Sequence, residues 1–312
     1  MRLSVVTTLY RSEDTLTEFH RRASVAAKSL AGDDYEIVMV NDGSPDASLE
    51  TAAKLTESDE HLVVIDLARN FGHHKAMMTG IMHAQGEEIF LIDSDLEEEP
   101  EWLQRFATEL EANSCDVVYG VQEKRKGGIF ERLSGKFFYF LFRLFTRVDL
   151  PEDVIVTRLM SRRYVDALTL HKESELFMAG LWVITGFLQR PIVVTKHSRG
   201  RSTYTFAKKL SQLANSITSF SSFPLIVIFM VGCFIFFVSC VFVAYLVFNW
   251  LFLASPPSGY TSLMASVWLL GGMITAFVGV IGIYLSKIYT ETKNRPYTIV
   301  RGIISQQQGG IQ

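Results

Sequence analysis

Two aspartates one residue apart, Asp93 and Asp95, come directly after an apolar run and begin a segment with five carboxylates in seven residues. The four apolar residues 89–92 are flanked by polar sequence and predict a buried strand. Alternation along an extended chain would put both aspartate side chains on one face, at the strand end where open α/β sheets bind ligands. Two such carboxylates repel each other unless a cation lies between them. Their hard oxygens suit Mg²⁺ or Mn²⁺ carrying a diphosphate.

A plainer role is open to the same carboxylates. Pro100 is typical of the first turn of a helix, and negative charge is favoured at a helix N-terminus. Asp95 could therefore belong to a helix start rather than to a metal site. We favour the metal site for the two aspartates and the helix start for Glu98 and Glu99.

A second polar turn follows the apolar strand predicted for residues 35–40. It reads Asn-Asp-Gly-Ser-Pro-Asp over residues 41–46 and precedes a helix predicted for residues 48–58. Acidic and small residues at such a strand-to-helix turn suit contact with the base and ribose of a nucleotide, although a plain turn would look the same. The glycines form neither a dinucleotide fingerprint nor a phosphate loop, so a metal is expected to handle the phosphates.

Strands and helices alternate along the chain from Leu3 to Gly120 and must position these turns. The alternation predicts an α/β fold with a mostly parallel, doubly wound sheet. The net charge of -3 over 312 residues gives no indication of nucleic-acid binding. Three scattered cysteines and seven histidines without metal-ligand spacing argue against a disulfide framework and against a structural metal.

Two stretches near the C-terminus, residues 223–253 and 261–286, contain no charged residue. Each is longer than the roughly 20 residues that cross hydrocarbon as a helix, so we predict two transmembrane helices, at about residues 223–250 and 263–286. The loop between them carries no Lys or Arg, whereas basic residues precede the first span and follow the second, which predicts both termini in the cytoplasm. No signal-peptide pattern is visible at the N-terminus, so the large N-terminal domain is expected on the same side.

Segments next to the predicted spans are amphipathic. Residues 129–146 combine a broad aromatic face with three basic residues, which suits a helix in the membrane interface, although an ordinary core helix stays open as an alternative. Residues 205–222 are predicted to form a second amphipathic helix that leads into the first span. Residues 287–312 are expected to form a cytoplasmic tail with a disordered end.

Five short motifs occur in an order that resembles a known family. They are Asn41-Asp-Gly-Ser-Pro-Asp, Arg69-Asn-Phe-Gly-His, Asp93-Ser-Asp-Leu, Pro100-Glu and Gly200-Arg-Ser-Thr-Tyr. Together with two C-terminal spans they resemble the polyprenyl-phosphate glycosyltransferases, which are inverting enzymes of the GT-A class related to dolichol-phosphate mannose synthase. The resemblance covers nearly the whole chain. It implies a Rossmann-like GT-A catalytic domain at residues 1–204, held at the bilayer by interfacial helices and the two spans.

The same resemblance implies roles for single residues. The donor nucleotide would be bound by Leu9, Tyr10, Asp42, Asp93 and Ser94. The divalent cation would be held by Asp93 and Asp95. The acceptor and donor phosphates would be bound by Arg125, Arg199, Arg201, Ser202 and Tyr204. Catalysis would involve Asp95, Asp153 and Arg158.

The chain departs from the family pattern at several positions. Glu97 stands where the family usually has glutamine, and Val156 stands where it has the aspartate proposed as the catalytic base. Either Asp153 substitutes for that aspartate or no protein base is used. A lipid monophosphate is largely dianionic at neutral pH and has no proton that must be removed, which makes the second option chemically sound.

We therefore expect an integral membrane enzyme, in a bacterial inner membrane, with its catalytic domain in the cytoplasm. It would move a sugar from a nucleotide diphosphosugar, a UDP-sugar, to a polyprenyl phosphate, with Mg²⁺ or Mn²⁺ as cofactor, and would form a homo-oligomer. Two alternatives remain open. The same fold could serve another lipid acceptor, diacylglycerol or a lipid-linked oligosaccharide, or the chain could be a non-catalytic binding module on the membrane.

Overall fold

The computed structural model describes residues 1–122, 151, 153–173, 176–196, 223–252 and 259–306. These residues fall into two compact units. The first unit contains the described residues up to 196 together with residues 295–306, and the second contains the described part of residues 223–294. The helices predicted at residues 129–146 and 205–222 lie outside the described residues.

One mixed sheet of eight strands forms the centre of the first unit. In chain order the strands are β1 (Leu3–Leu9), β2 (Tyr35–Asn41), β3 (Leu62–Leu67), β4 (Glu88–Leu91), β5 (Val117–Gln122), β6 (Val154–Ser161), β7 (Gln189–Val194) and β8 (Val300–Ser305). Their order across the sheet is β7-β5-β6-β4-β1-β2-β3-β8. β1 is parallel to β2 and β4, β2 to β3, and β5 to β7, whereas β6 and β8 run antiparallel to their neighbours. The predicted mostly parallel α/β sheet, which is GT-A-like, is therefore confirmed.

Helices pack around this sheet in the described part of the first unit. They are α1 (Glu13–Ala31), α2 (Ser48–Thr56), α3 (His73–His83), α4 (Trp102–Ala112), α5 (Arg162–Leu168) and α6 (Met178–Ile184). α1 buries Leu16, Phe19, Ala23 and Ala27, three or four positions apart, as expected of a helix that packs one face against a core. All seven residues of β1 and of β2 are buried, which explains why these strands are rich in apolar residues on both faces.

The carboxyl ends of β1, β2, β3 and β4 lie along the same edge of the sheet, the one formed by strand ends, because these strands are parallel neighbours. β6 runs antiparallel to β4, so β6 begins at that same edge. The turns that follow the four parallel strands and the start of β6 therefore come together. They carry the acidic segment and the polar turn identified in the sequence.

The second unit contains two long apolar helices, α7 (Phe223–Phe252) and α8 (Tyr260–Thr292). Within the described residues one stretch, Leu269–Thr292 of α8, is long and apolar enough to cross a membrane. In α7 the apolar stretch found in the same way is Phe223–Ile235, which is shorter. One of the two predicted spans is thus supported, with its bounds moved toward the C-terminus, and the span at about residues 223–250 stays a prediction.

After α8 the chain returns to the sheet of the first unit. β8 pairs antiparallel with β3 and is the outermost strand on that side of the sheet. The sequence predicts that residues 287–312 form a tail. In the structure residues 287–292 belong to α8, and residues 300–305 form the six-residue strand β8. Arg301 and Ala68, in contact across this pairing, are 233 positions apart in the chain, so no local pattern could indicate it.

Candidate active site

The acidic segment leaves the sheet earlier than the sequence predicts. β4 ends at Leu91, and residues 93–95 enter a turn instead of continuing the strand. Asp93 keeps 19% of its side chain exposed. Asp95 is exposed, and its Oδ1 accepts the Glu97 N–H at 2.9 Å. The chain is not extended here, so the expectation of strand alternation at these two carboxylates is wrong, and the turn sets their positions.

Asp93 lies among other carboxylates and next to a histidine, His73, that carries no charge at neutral pH. Nε2 of His73, the first residue of α3, lies 3.4 Å from Asp93 Oδ1, and its Nδ1 shares a hydrogen bond of 3.0 Å with Thr8 Oγ1. Burial lowers the pKa of His73 to about 4, so this imidazole is neutral at pH 7. Burial, together with the carboxylates of Glu98 and Asp95, raises the pKa of Asp93 well above its ordinary value. A cation beside Asp93 would favour its charged form.

Glu98 is an internal support of the site. Its side chain is fully buried, and it accepts hydrogen bonds from the Thr157 N–H at 3.1 Å and from the Thr157 hydroxyl. Lys196 Nζ lies 3.3 Å from Glu98 Oε1 and 3.3 Å from Glu97 Oε2. The helix-start interpretation is wrong for Glu98, because a buried carboxylate needs internal partners and this one joins the acidic segment to β6 and to the end of β7.

The polar turn after β2 holds the loop that follows β3. Asp42 is buried, and its two carboxylate oxygens accept the N–H groups of Phe71 at 2.7 Å and Gly72 at 3.0 Å. Burial raises the pKa of Asp42, and these two hydrogen bonds act in the opposite direction. Gly43 has a φ of +59° and packs so tightly that a Cβ there would lie 2.5 Å from Asn70 N. Asp42 and Gly43 together define the shape of this loop.

A pocket of about 120 Å³ opens where these turns meet. Its lining residues are Thr8, Tyr10, Asp42, Asn70, Gly72 and His73. Tyr10 and Asp42 are among the residues expected to bind a nucleotide, and Asp93 adjoins the pocket through His73. The pocket lies at the carboxyl ends of β1, β2 and β3, where open α/β sheets bind ligands.

Leu9 and Ser94, also expected to bind the nucleotide, do not line this pocket. The Leu9 side chain is part of the hydrophobic core, and its carbonyl accepts the Asp42 N–H at 3.0 Å. Ser94 is buried, and its hydroxyl donates to the Thr8 carbonyl at 2.9 Å. Both side chains are turned into the protein, Leu9 at the end of β1 and Ser94 in the turn after β4, so they support the residues that line the pocket.

Comparison with known proteins decides which class of enzyme carries this site. Residues 4–169, more than half of the chain, match the model of glycosyl transferase family 2. The chain belongs to this family. The resemblance to glycosyltransferases stated from the motifs is thereby confirmed, and the matched region of this family 2 glycosyltransferase contains the pocket and the acidic segment.

Relatives of this glycosyltransferase align over nearly its whole length. A Mycobacterium tuberculosis (strain CDC 1551 / Oshkosh) protein grouped by name with the glycosyltransferases is 47% identical over 303 residues, which is 97% of this chain and 88% of the relative. The uncharacterized glycosyltransferase YkcC of Bacillus subtilis (strain 168) is 33% identical over 96% of this chain and 93% of its own. The SfII prophage-derived bactoprenol glucosyl transferase of Shigella flexneri is 31% identical over 96% of this chain and 98% of its own. The alignments therefore extend beyond the catalytic unit to α7, α8 and β8.

Arg158, expected to take part in catalysis, is enclosed beneath the site of this glycosyltransferase. It lies in β6 with 1% relative exposure, and its Nε donates to the Val156 carbonyl at 3.2 Å. Its guanidinium carbon lies 3.0 Å from the centre of the Trp182 ring. Burial lowers the pKa of Arg158 to about 9. Arg158 is not among the residues that line the pocket, and its expected catalytic role stays a prediction.

Asp153 lies at the same sheet edge as the acidic segment. It precedes β6 with a φ of 56°, and its carbonyl accepts the Gln122 N–H at 3.0 Å. Val156 lies within β6 and is partly buried, so it brings no acidic group to this edge. The phosphate-binding residues expected from the resemblance lie outside the described residues; they are Arg125, Arg199, Arg201, Ser202 and Tyr204.

Several residues of the site are not among those predicted to be functional, and His73, Thr157 and Lys196 are examples. His73 ends the Arg69-Asn-Phe-Gly-His motif, so the sequence contained a signal for it. Thr157 and Lys196 carry no such signal, because their partner Glu98 lies 59 and 98 positions away in the chain. Their role becomes visible when β6 and β7 are placed in the sheet.

Gly43→Ala is expected to destabilise the protein and to weaken nucleotide binding. A backbone held in a disfavoured region costs about 1–3 kcal/mol, and the new Cβ would in addition displace the backbone of the loop after β3. Gly32→Ala is the matched control, since Gly32 also has a positive φ, of +65°, but a Cβ there meets no heavy atom within 4 Å. Thermal unfolding with and without UDP measures both effects. Equal losses in the two variants would contradict the packing role of Gly43.

Proposed function

We propose that this glycosyltransferase transfers a sugar from a nucleotide diphosphosugar, a UDP-sugar, to a polyprenyl phosphate at a bacterial inner membrane, with the catalytic unit in the cytoplasm. The observation that carries the proposal is the end-to-end similarity to a protein named as a bactoprenol glucosyl transferase, 31% identical over 303 residues. An enzyme with a lipid acceptor works at a bilayer, and the apolar stretch Leu269–Thr292 supports that location.

The donor nucleotide is proposed to occupy the pocket at the ends of β1 to β3. Tyr10 is half-exposed there and offers a ring face to the base. Each oxygen of Asp42 accepts one N–H in the structure, and a carboxylate oxygen has capacity for a second, so Asp42 can also accept from the nucleotide. The diphosphate would then extend past His73 toward Asp93.

Asp93 and Asp95 are proposed to hold a divalent cation. Their oxygen ligands suit Mg²⁺ or Mn²⁺. The carboxylates of Glu98, Asp95 and Glu97 around Asp93 favour a positive ion, and Lys196 balances them only in part. Among the described residues no three His, Cys, Asp or Glu side chains are grouped so as to hold a metal ion, so the donor phosphates would have to supply further ligands. When bound, the ion would stabilise the charge that develops on the leaving diphosphate.

The chain's own residues then align the reactants. A polyprenyl phosphate is mostly dianionic at neutral pH, so its oxygen attacks the anomeric carbon without losing a proton first. The new bond joins phosphate to sugar, and the bond from the sugar to the nucleoside diphosphate breaks. Much of the acceleration in such a reaction comes from holding the acceptor phosphate and the leaving diphosphate on opposite sides of the anomeric carbon, in line with it. Transfer therefore does not depend on an aspartate at position 156, and Asp153 is proposed to orient the acceptor.

The acceptor phosphate is proposed to meet the basic residues that the family resemblance implies, with Arg125 and Arg199 as the first candidates. Lys196 precedes the second of these by three positions and is held by Glu97 and Glu98 at 3.3 Å. Lys196, the last described residue before this part of the sequence, thus lies beside the acidic segment. This placement supports an acceptor that approaches from the side of Asp93.

Transfer to lipid tests the proposal directly. The purified full-length protein is mixed with undecaprenyl phosphate, Mn²⁺ or Mg²⁺, and a panel of labelled UDP- and GDP-sugars, with diacylglycerol and a lipid-linked oligosaccharide as parallel acceptors. We expect label from a UDP-sugar to enter the organic phase as an anionic, acid-labile lipid. Label found on diacylglycerol alone would replace the proposed acceptor. Nucleotide binding in calorimetry without labelled lipid in any arm would favour a non-catalytic module.

A further inference from the structure

We infer that Arg301, on the strand that follows the second apolar helix, is a positioning residue for the donor pocket; the inference rests on the proposed function for the identity of the donor. β8 pairs with β3 so that Asp66 faces Gly302 and Leu67 faces Val300. Arg301 is thus the extra residue of a β-bulge. Bulges redirect side chains, and this one turns Arg301 toward the carboxyl end of β3, where the pocket begins.

The guanidinium of Arg301 makes two contacts at that end of the strand. Nη1 lies 3.2 Å from Asp66 Oδ2, and Nη2 donates to the Ala68 carbonyl at 2.8 Å. The Asp66 side chain is 8% exposed, whereas that of Arg301 is 59% exposed, so a solvent-side cation covers a nearly buried carboxylate. A forked guanidinium can serve two acceptors at once, which a lysine ammonium would do less well.

Through Asp66 this contact reaches the polar turn. Asp66 Oδ1 accepts a hydrogen bond from Asn41 Nδ2 at 2.8 Å, and Asn41 Oδ1 accepts the Ser44 N–H at 3.2 Å. Asp42 lies between these two residues in the chain and lines the pocket. One side of the pocket is therefore held by a continuous series of contacts that begins on β8.

Through Ala68 the same side chain reaches the other side of the pocket. The Ala68 N–H donates to the Ile299 carbonyl at 2.9 Å, and its carbonyl accepts from Arg301, so the returning segment holds both backbone groups of Ala68. The loop that starts here includes Asn70 and Gly72, which line the pocket. Arg301 itself does not line it. Its loss should change the shape of the donor pocket and leave the reacting groups in place.

Arg301→Gln in the full-length protein tests this role. We expect the Kd for UDP with Mn²⁺, measured by calorimetry, to rise roughly tenfold, as for the loss of one charge-assisted contact. The donor KM should rise with it, while kcat and the acceptor KM stay unchanged. Arg301→Lys should give an intermediate Kd. The double variant Arg301→Gln with Asp66→Asn should recover most of the affinity, because a neutral amide at position 66 no longer needs a positive charge to offset its burial.

Arg190→Gln is the matched control. It removes the same charge from an exposed position of β7, the outermost strand on the other side of the sheet, and this variant should bind UDP like the unaltered protein. Hydrogen exchange supplies a readout that needs no transfer: residues 41–46 and 68–72 should exchange faster in Arg301→Gln, and β1 should not. An unchanged Kd and exchange in Arg301→Gln, or equal effects in Arg190→Gln, would overturn the inference. Failure of the proposed function would show separately, as faster exchange and weaker nucleotide binding in a protein that labels no lipid.

Discussion

Asp95→Ala is expected to lower kcat/KM for sugar transfer by roughly a thousandfold, because a catalytic metal ion supplies several kcal/mol of charge stabilisation and each 1.4 kcal/mol is about tenfold in rate. Asp95 is exposed in a turn, where its Oδ1 accepts the Glu97 N–H. The fold should therefore tolerate the change. Initial rates with a labelled UDP-sugar and calorimetry of Mn²⁺ in the presence of UDP measure the two consequences, loss of turnover and weaker metal binding.

Asp166→Ala is a suitable control for this variant. Asp166 is an exposed carboxylate of α5 that lies 3.8 Å from Arg162, away from the acidic segment, so its loss should affect neither turnover nor metal binding. Full transfer activity in Asp95→Ala would remove the metal role assigned to that residue. Loss of activity with unaltered Mn²⁺ affinity would transfer the role to Asp93 alone.

Glu98→Ala is expected to lower the melting temperature by roughly 6–12 °C, which corresponds to about 3 kcal/mol for a catalytic unit of this size. The fully buried carboxylate accepts from the backbone and hydroxyl of Thr157 and pairs with Lys196. Its removal leaves the buried donors of Thr157 without their acceptor and leaves the ammonium of Lys196 with Glu97 alone. Thermal unfolding of the purified protein in detergent measures the shift.

Glu99→Ala is the matched control, because it removes the same side chain one residue further on. Glu99 accepts from Trp102 Nε1 at 3.1 Å at the start of α4, a contact worth about 0.5–1.5 kcal/mol. Glu98→Gln separates the two contacts of Glu98, since it keeps an acceptor for Thr157 and removes the charge paired with Lys196. Equal shifts in Glu98→Ala and Glu99→Ala would restore the helix-start interpretation for both residues.

The first half of the fold follows from local sequence patterns. β1 to β4 are apolar runs bounded by polar turns, and α1 to α4 carry helical periodicity, so their order predicts the parallel part of the sheet. β6 and β8 escape this reasoning because each is defined by its partner. β8 contains a glycine and an arginine within six residues, and its place beside β3 depends on pairing across most of the chain.

The candidate site divides in the same way. Residue types and spacing indicate Asp42, Asp93 and Asp95, because acidic side chains at strand ends mark a ligand edge. Burial cannot be predicted from such a pattern. It separates Glu98 from Glu99, and it places Arg158 between Trp182 and the carbonyl of Val156, outside the lining of the donor pocket. Charged residues of one type thus take different roles according to the strand packed against them.

The pairing of β8 with β3 also constrains how the chain crosses a bilayer. Strands that precede α7 and the strand that follows α8 belong to one sheet, and a folded sheet lies on one side of a membrane. The number of crossings between β7 and β8 must therefore be even. If Leu269–Thr292 spans the bilayer, a second segment must cross in the opposite direction, and among the described residues α7 is the long apolar helix available to do so. Such an out-and-back pair would return Arg301 to the side on which the donor pocket opens.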